Sequence, residues 1–274
     1  EVTDYTEDEN GILPKHFAVK QIPLFLEGPV RFLKLDKTME EKRNLYAAVK
    51  NSDLYDKKLS MYKVNASLKD ASYEIGRAKA FTPGWLENES IWLHMEYKYL
   101  LELLKSGMYR EFADDFGKAA VPFLDPEVYG RSIYENSSFI ASSKNPNERY
   151  HGKGFVARLS GSTVEFIHMW SLMMFGLHPF AMQDGKLTLT FAPTLPSYLI
   201  GEDRQIEAVF LGKIPVRYHL AEQKEYLPGG YEVTKIVLTC GDGAQKNVNG
   251  GVLDEEWAKA VRDGEIAGID VSIS

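Results

Sequence analysis

The apolar pattern of this chain changes near residue 182, and the change limits which folds it can adopt. Before that point, apolar residues recur at three- and four-residue steps, most clearly over residues 89–105 and 162–176, which is typical of helices. After it, Leu187, Leu189 and Phe191 alternate with threonines, as expected of a strand. The sequence therefore predicts an α+β protein in which a helical segment is followed by an all-β segment.

Local signals divide the chain into three predicted segments. Residues 1–36 are interrupted by prolines and are predicted to form an extended lead-in. Residues 37–181 form the predicted helical segment, which opens with a capping box between Thr38 and Glu41. The C-terminal β domain is predicted over residues 182–274, with strands near 206–211, 216–220, 233–239 and 269–273 and a short helix near 254–262.

Composition excludes several classes of function. The formal net charge of −7 argues against a nucleic-acid partner, because phosphate backbones select basic surfaces. No run of about 18 apolar residues is present, so a membrane role is not expected. Cys240 is the single cysteine, which predicts a reduced cytoplasmic protein with one buried thiol. No metal-binding motif occurs, and neither a metal nor a cofactor is expected.

The stretch from Arg158 to Glu165 is the first candidate site. Ser160, Gly161 and Ser162 form a small-residue turn that leads directly into a predicted helix, whose free N–H groups favour an anion. The alternative is an ordinary helix start in which Ser162 and Glu165 form a capping box. In either case the following helix, with almost no charge, is predicted to be buried.

His94 and Glu87 lie at the start of the long predicted helix. His94 is a candidate ligand for an anion, although a lone histidine on an apolar helix is usually a core residue. Glu87 is a candidate substrate ligand, but an acid near a helix N-terminus is also favoured by the helix dipole. His151 is predicted to lie on a surface loop.

These residues belong to an ordered set of motifs over residues 36–220: Gly84-Trp85-Leu86-Glu87-Asn88 with His94, then Glu135, then Leu159-Ser160-Gly161-Ser162, then Ala192-Pro193-Thr194-Leu195-Pro196. The set resembles the cellobiose phosphorylase family, glycoside hydrolase family ninety-four, with its R-E-N…H, E-P-Y, L-[ST]-G-[ST] and D-P-x-I-P segments. Residues 65–70 and 85–94 look most similar to those of the 1,2-β-oligoglucan phosphorylases.

The resemblance implies the later helices of an (α/α)6 barrel followed by a jelly-roll-like β-sandwich domain. It implies an inverting phosphorylase that cleaves β-glucosidic bonds with inorganic phosphate as co-substrate, giving α-glucose 1-phosphate. The implied phosphate-binding residues are His94, Ser160, Gly161 and Ser162, and the implied substrate-binding residues are Glu87 and Glu135. The implied partners are a β-glucan oligosaccharide, phosphate and the rest of a longer polypeptide, and a homodimer is compatible with them.

The chain also departs from the family pattern. The general-acid aspartate of the family lies in an upstream D-W-N-D-like segment without a counterpart here, so these residues alone are expected to be inactive. Leu86 stands where the family has the arginine of R-E-N, and Asn136-Ser137 replaces the Pro-Tyr of E-P-Y. Two alternatives to the phosphorylase therefore remain: a non-catalytic carbohydrate-binding module and an (α/α)6-barrel glycoside hydrolase.

Overall fold

A computed structural model describes residues 2–19, 21–155 and 161–274 of the chain. Within these residues the helices are α1 (Glu27–Leu33), α2 (Met39–Asn51), α3 (Leu93–Lys105), α4 (Tyr109–Ala119), α5 (Pro126–Tyr129), α6 (Gly161–Phe175) and α7 (Glu255–Asp263). The strands are β1 (Val2–Asp8), β2 (Gly11–Phe17), β3 (Tyr55–Asp56), β4 (Met61–Tyr62), β5 (Ile91–Trp92), β6 (Phe139–Ile140), β7 (Gly154–Phe155), β8 (Phe180–Gln183), β9 (Lys186–Thr190), β10 (Gln205–Phe210), β11 (Ile214–Leu220), β12 (Val233–Cys240), β13 (Gln245–Asn249), β14 (Val252–Leu253) and β15 (Ile266–Ile273). The chain is α+β, and α1 to α6 precede the strands β8 to β15 of the C-terminal segment.

The N-terminal segment has more regular secondary structure than the predicted extended lead-in. β1 and β2 pair as an antiparallel hairpin whose residues are all exposed. α1 then begins before Pro29, which is its third residue. A proline is tolerated there because the N–H groups of a first helical turn have no partner within the helix. The prediction for residues 1–36 is therefore wrong at its C-terminal end.

The long helix α3 starts four residues later than its apolar pattern predicts. Glu89 has a left-handed backbone conformation (φ 55°), which a right-handed helix cannot include. Ile91 and Trp92 then pair with Ile140 and Phe139 of β6, forming a small sheet with β7. The helical segment is therefore interrupted by short strands that connect distant loops.

The predicted helix over residues 162–176 corresponds to α6, but only one of its faces is buried. Met169 and Met173 are inaccessible to solvent, and α6 packs along α3. Val164 and Ile167 on the other face are each 61% exposed. The prediction of a buried helix therefore holds for one face only, since apolar composition does not tell which face meets a neighbour.

This asymmetry gives two substitutions with opposite expected outcomes. Met173→Ala should lower the free energy of unfolding by about 2–5 kcal/mol, because it leaves a cavity in the core. Val164→Ala, on the exposed face, should change it by less than about 0.5 kcal/mol. Urea denaturation of both variants measures the difference. Equal losses would contradict the observed orientation of α6.

The C-terminal segment contains a five-stranded sheet in the order β10-β11-β15-β12-β13 and a three-stranded sheet in the order β14-β9-β8. β11 and β15 are parallel, whereas the other neighbours in both sheets are antiparallel. Phe175 at the end of α6 packs on Phe191 and Phe210, and the Tyr218 hydroxyl donates to the Met174 carbonyl. The core of the β segment is thus continuous with that of the helices.

Two smaller predictions concern single residues. Cys240, predicted to be buried, is a free and only half-buried thiol at the end of β12. His151, predicted to lie on the surface, is half-buried, with Nε2 2.7 Å from the Asn145 carbonyl oxygen. No helix in the described part of the chain is both long and apolar enough to cross a bilayer.

Candidate functional site

The start of α6 meets the start of α3 at Gly161 and His94. A β-carbon built on Gly161 would lie 2.6 Å from Nδ1 and 2.8 Å from Cγ of the His94 ring. Contacts this short mean that the imidazole lies directly against the glycine backbone. Residues far apart in sequence are therefore brought together in the way that the phosphate-site hypothesis requires.

Ser162 follows in the first turn of α6. Its side chain is 1% exposed, and its Oγ has no hydrogen-bond partner among the described residues. The capping box predicted between Ser162 and Glu165 is therefore not formed, because Ser162 is already a residue of α6 and does not precede its first turn. Ser160, the remaining predicted phosphate ligand, lies outside the described residues, as does Arg158.

Two charged side chains, those of Glu165 and Lys98, influence the His94 ring. Glu165 of α6 has Oε1 3.8 Å from His94 Nε2. Burial, followed by repulsion from Lys98, holds the pKa of His94 below its ordinary value, while the Glu165 carboxylate opposes that shift. The net shift favours the neutral imidazole, which has one nitrogen that can donate a hydrogen bond and one that can accept.

Glu87 is carried by a loop over residues 84–90 that has an unusual backbone. Leu86 and Glu89 both have positive φ angles (50° and 55°), which are costly for residues other than glycine. The Asn65 side chain forms two hydrogen bonds with the backbone of this loop. Its Nδ2 donates to the Glu87 carbonyl, and its Oδ1 accepts from the Glu89 N–H. The Ser90 hydroxyl also donates to the Leu86 carbonyl. The loop is thus held in one conformation by several independent hydrogen bonds.

A buried ion pair supports the same loop. Lys63 is completely inaccessible to solvent, and its Nζ lies 3.1 Å from Glu89 Oε1 and 3.1 Å from Asp53 Oδ1. A buried ammonium is tolerated only where carboxylates compensate its lost hydration, as they do here. Lys63 therefore connects the strand pair β3–β4 to the loop that carries Glu87.

The Glu87 carboxylate is paired with an arginine that the sequence did not indicate. Arg77 Nη2 lies 2.6 Å from Glu87 Oε1. On the same loop, the half-buried Trp85 ring packs against Phe155 and Tyr150, with centroid distances of 4.3 and 5.7 Å. Charged and aromatic groups therefore lie side by side on this loop.

Glu135, the second predicted substrate ligand, has a different environment. Its side chain is largely exposed and pairs with Arg131 at 3.1 Å, one helical turn away in sequence. Its carbonyl accepts from the buried Tyr129 hydroxyl, which fixes the backbone but leaves the carboxylate at the surface. Among the described contacts, none joins Glu135 to His94 or Gly161.

The sequence did not indicate that Lys63, Asn65, Arg77 and Lys98 take part in this site. Their only sequence signal was weak, since Asn65 lies in a segment that resembled a phosphorylase subfamily and the three cations had no motif. Within the described ranges no group of three or more His, Cys, Asp or Glu side chains could hold a metal ion.

Comparisons with known proteins do not assign the chain to a family. No protein-family model matches it, and no curated protein sequence has significant similarity to it.

Proposed function

We propose that these residues are part of an inverting glycoside phosphorylase. The enzyme would cleave the β-glucosidic bonds of β-1,2-glucooligosaccharides with inorganic phosphate and release α-glucose 1-phosphate. His94, Gly161 and Ser162, together with Ser160, would bind inorganic phosphate, and Glu87 would bind the acceptor sugar. The proposal includes an (α/α)6 barrel and a jelly-roll-like β domain for the whole protein, with the general-acid aspartate in a segment that precedes these residues.

The approach of His94 to Gly161 carries this proposal. One phosphate is only a few ångströms across, so its ligands must converge, and the His94 ring and the first turn of α6 do so. The buried Ser162 hydroxyl supports it further, because an unpartnered buried hydroxyl is costly and an oxyanion is a suitable acceptor for it. Free N–H groups at a helix start are also common phosphate ligands.

The chemistry would be a single displacement. A phosphate oxygen attacks the anomeric carbon while an aspartic acid on the opposite face protonates the leaving oxygen, and the anomeric configuration inverts. A neutral His94 would donate one hydrogen bond from its ring N–H to a phosphate oxygen.

Glu165 is the observation that favours a hydrolase instead. A hydrolase activates water with a carboxylate base, and Glu165 is a carboxylate within 3.8 Å of His94. The two activities differ in what they consume. Phosphorolysis stops without phosphate and yields glucose 1-phosphate, whereas hydrolysis continues in phosphate-free buffer and yields a free sugar.

The first test is the effect of His94→Ala on phosphate binding and on phosphorolysis by the intact protein. Losing one hydrogen bond to a charged ligand should weaken phosphate binding by about ten- to a hundredfold. His178→Ala, at an exposed histidine, is the matched control and should leave phosphate binding unchanged. Unchanged phosphate affinity in His94→Ala, or release of free sugar without phosphate, would refute the proposed site.

A further inference from the structure

We propose that Arg77 binds the acceptor sugar together with Glu87, supplying a guanidinium at a site where Leu86 occupies the position of the family arginine. This inference rests on the proposed function, since it names a further residue of the same acceptor site. It is carried by the Arg77–Glu87 contact, by the loop that presents Glu87, and by the chemistry that such a pair recognises.

Stability does not explain the contact between Arg77 and Glu87. Arg77 is 81% exposed, and ion pairs at the surface contribute only about 0–1 kcal/mol to folding. Arg77 begins a short 3-10 helix over Arg77–Ala80 in an exposed segment, and it reaches a glutamate that is itself only 27% exposed. The exposed Arg77 therefore pairs with the carboxylate of Glu87, which is largely buried.

The loop under Glu87 is more constrained than an ordinary surface loop. Leu86 and Glu89 both have the left-handed conformation. Hydrogen bonds from Asn65 and the ion pair of the buried Lys63 with Glu89 hold the loop in place. Unfavourable backbone conformations persist where the surrounding structure over-determines them, which is common at binding sites. Glu87 is thus the member of the pair whose backbone is held in place, and the exposed Arg77 side chain pairs with it.

The pair has the chemistry of a site for a neutral polyhydroxylated ligand. A carboxylate accepts hydrogen bonds from sugar hydroxyls, and a guanidinium presents five donors to hydroxyl oxygens. Together they carry no net charge, so they favour a neutral sugar over a phosphate. Trp85 lies two residues before Glu87 with a half-buried ring, and aromatic rings pack well on the apolar faces of sugars.

The test measures synthesis from α-glucose 1-phosphate and a glucooligosaccharide acceptor by the intact protein. Arg77→Leu should raise the acceptor KM by about ten- to a hundredfold, with the KM for glucose 1-phosphate unchanged. Glu87→Gln should act in the same direction, because glutamine replaces one acceptor oxygen with a donor. Arg77→Lys should restore only part of the acceptor affinity, since an ammonium lacks the planar fork of donors.

Arg31→Leu is the matched control. Arg31 forms a comparable exposed pair with Glu27 at 2.7 Å on α1, and its loss should leave both KM values unchanged. If the acceptor KM of Arg77→Leu stays at the wild-type value, or both KM values rise together, the assignment of Arg77 is overturned while the phosphorylase proposal stands. If the wild-type protein makes no product from glucose 1-phosphate, both proposals fail.

Discussion

Gly161→Ala should weaken phosphate binding by about a hundredfold, because the new methyl group would occupy the space of the His94 ring. The added β-carbon would lie within 2.8 Å of three ring atoms, including Cγ near the base of the side chain. A small rotation cannot relieve such a contact, so the imidazole must leave its position or α6 must shift. Either movement separates the proposed phosphate ligands, and each hydrogen bond lost to a charged ligand costs about tenfold or more in affinity. Calorimetric titration with inorganic phosphate measures the effect.

Gly28→Ala is the matched control for that substitution. Gly28 also lies in the first turn of a helix, α1, and a β-carbon there has open space around it. Alanine should therefore leave phosphate binding unchanged and stabilise the protein by about 0.5–1 kcal/mol. Wild-type phosphate affinity in Gly161→Ala would show that the contact of His94 with Gly161 has no part in anion binding.

Lys63→Met should lower the free energy of unfolding by about 3–5 kcal/mol. Lys63 is fully buried, and the substitution would leave Glu89, itself 5% exposed, without its cation. Asp53 would keep its contact with Lys144, so the uncompensated charge would be that of Glu89. Chemical denaturation of the variant measures the loss.

The double variant Lys63→Met with Glu89→Gln separates charge from packing. Removing both charges should recover a substantial part of the lost stability, because no buried charge remains unpaired. Arg31→Met, which breaks an exposed pair, should cost less than about 1 kcal/mol. If the double variant is as unstable as Lys63→Met alone, the fit of the lysine stem, and not the ion pair, supports the loop.

Several elements could be predicted because their causes are local. The Thr38–Glu41 capping box forms in both directions, and α2 begins immediately after Thr38. α7 is capped by Asp254 and ends at Gly264 in the left-handed conformation, as its end residues indicate. The strands of the C-terminal segment appear within a few residues of their alternating patterns, because one face of each meets the core.

The predictions failed where a distant partner overrides a local pattern. Residues 91 and 92 share the helical spacing of α3, yet pairing with β6 makes them a strand. Ser162 and Glu165 have the spacing of a capping box, yet Glu165 lies near His94 and the serine hydroxyl stays unpartnered among the described residues. Spacing reports what a segment could form by itself, and tertiary contacts decide what it does form.

The sequence by itself determined the approximate position of the longer helices and of the strands in the C-terminal segment. Periodicity and capping depend on residues only a few positions apart, so the sequence alone contains this information. Tertiary structure alone decided three contacts. His94 packs against Gly161, Arg77 pairs with Glu87, and the buried Lys63 pairs with Glu89. These contacts join segments with no shared periodicity, and their geometry depends on how α3, α6 and the intervening loops pack as one core.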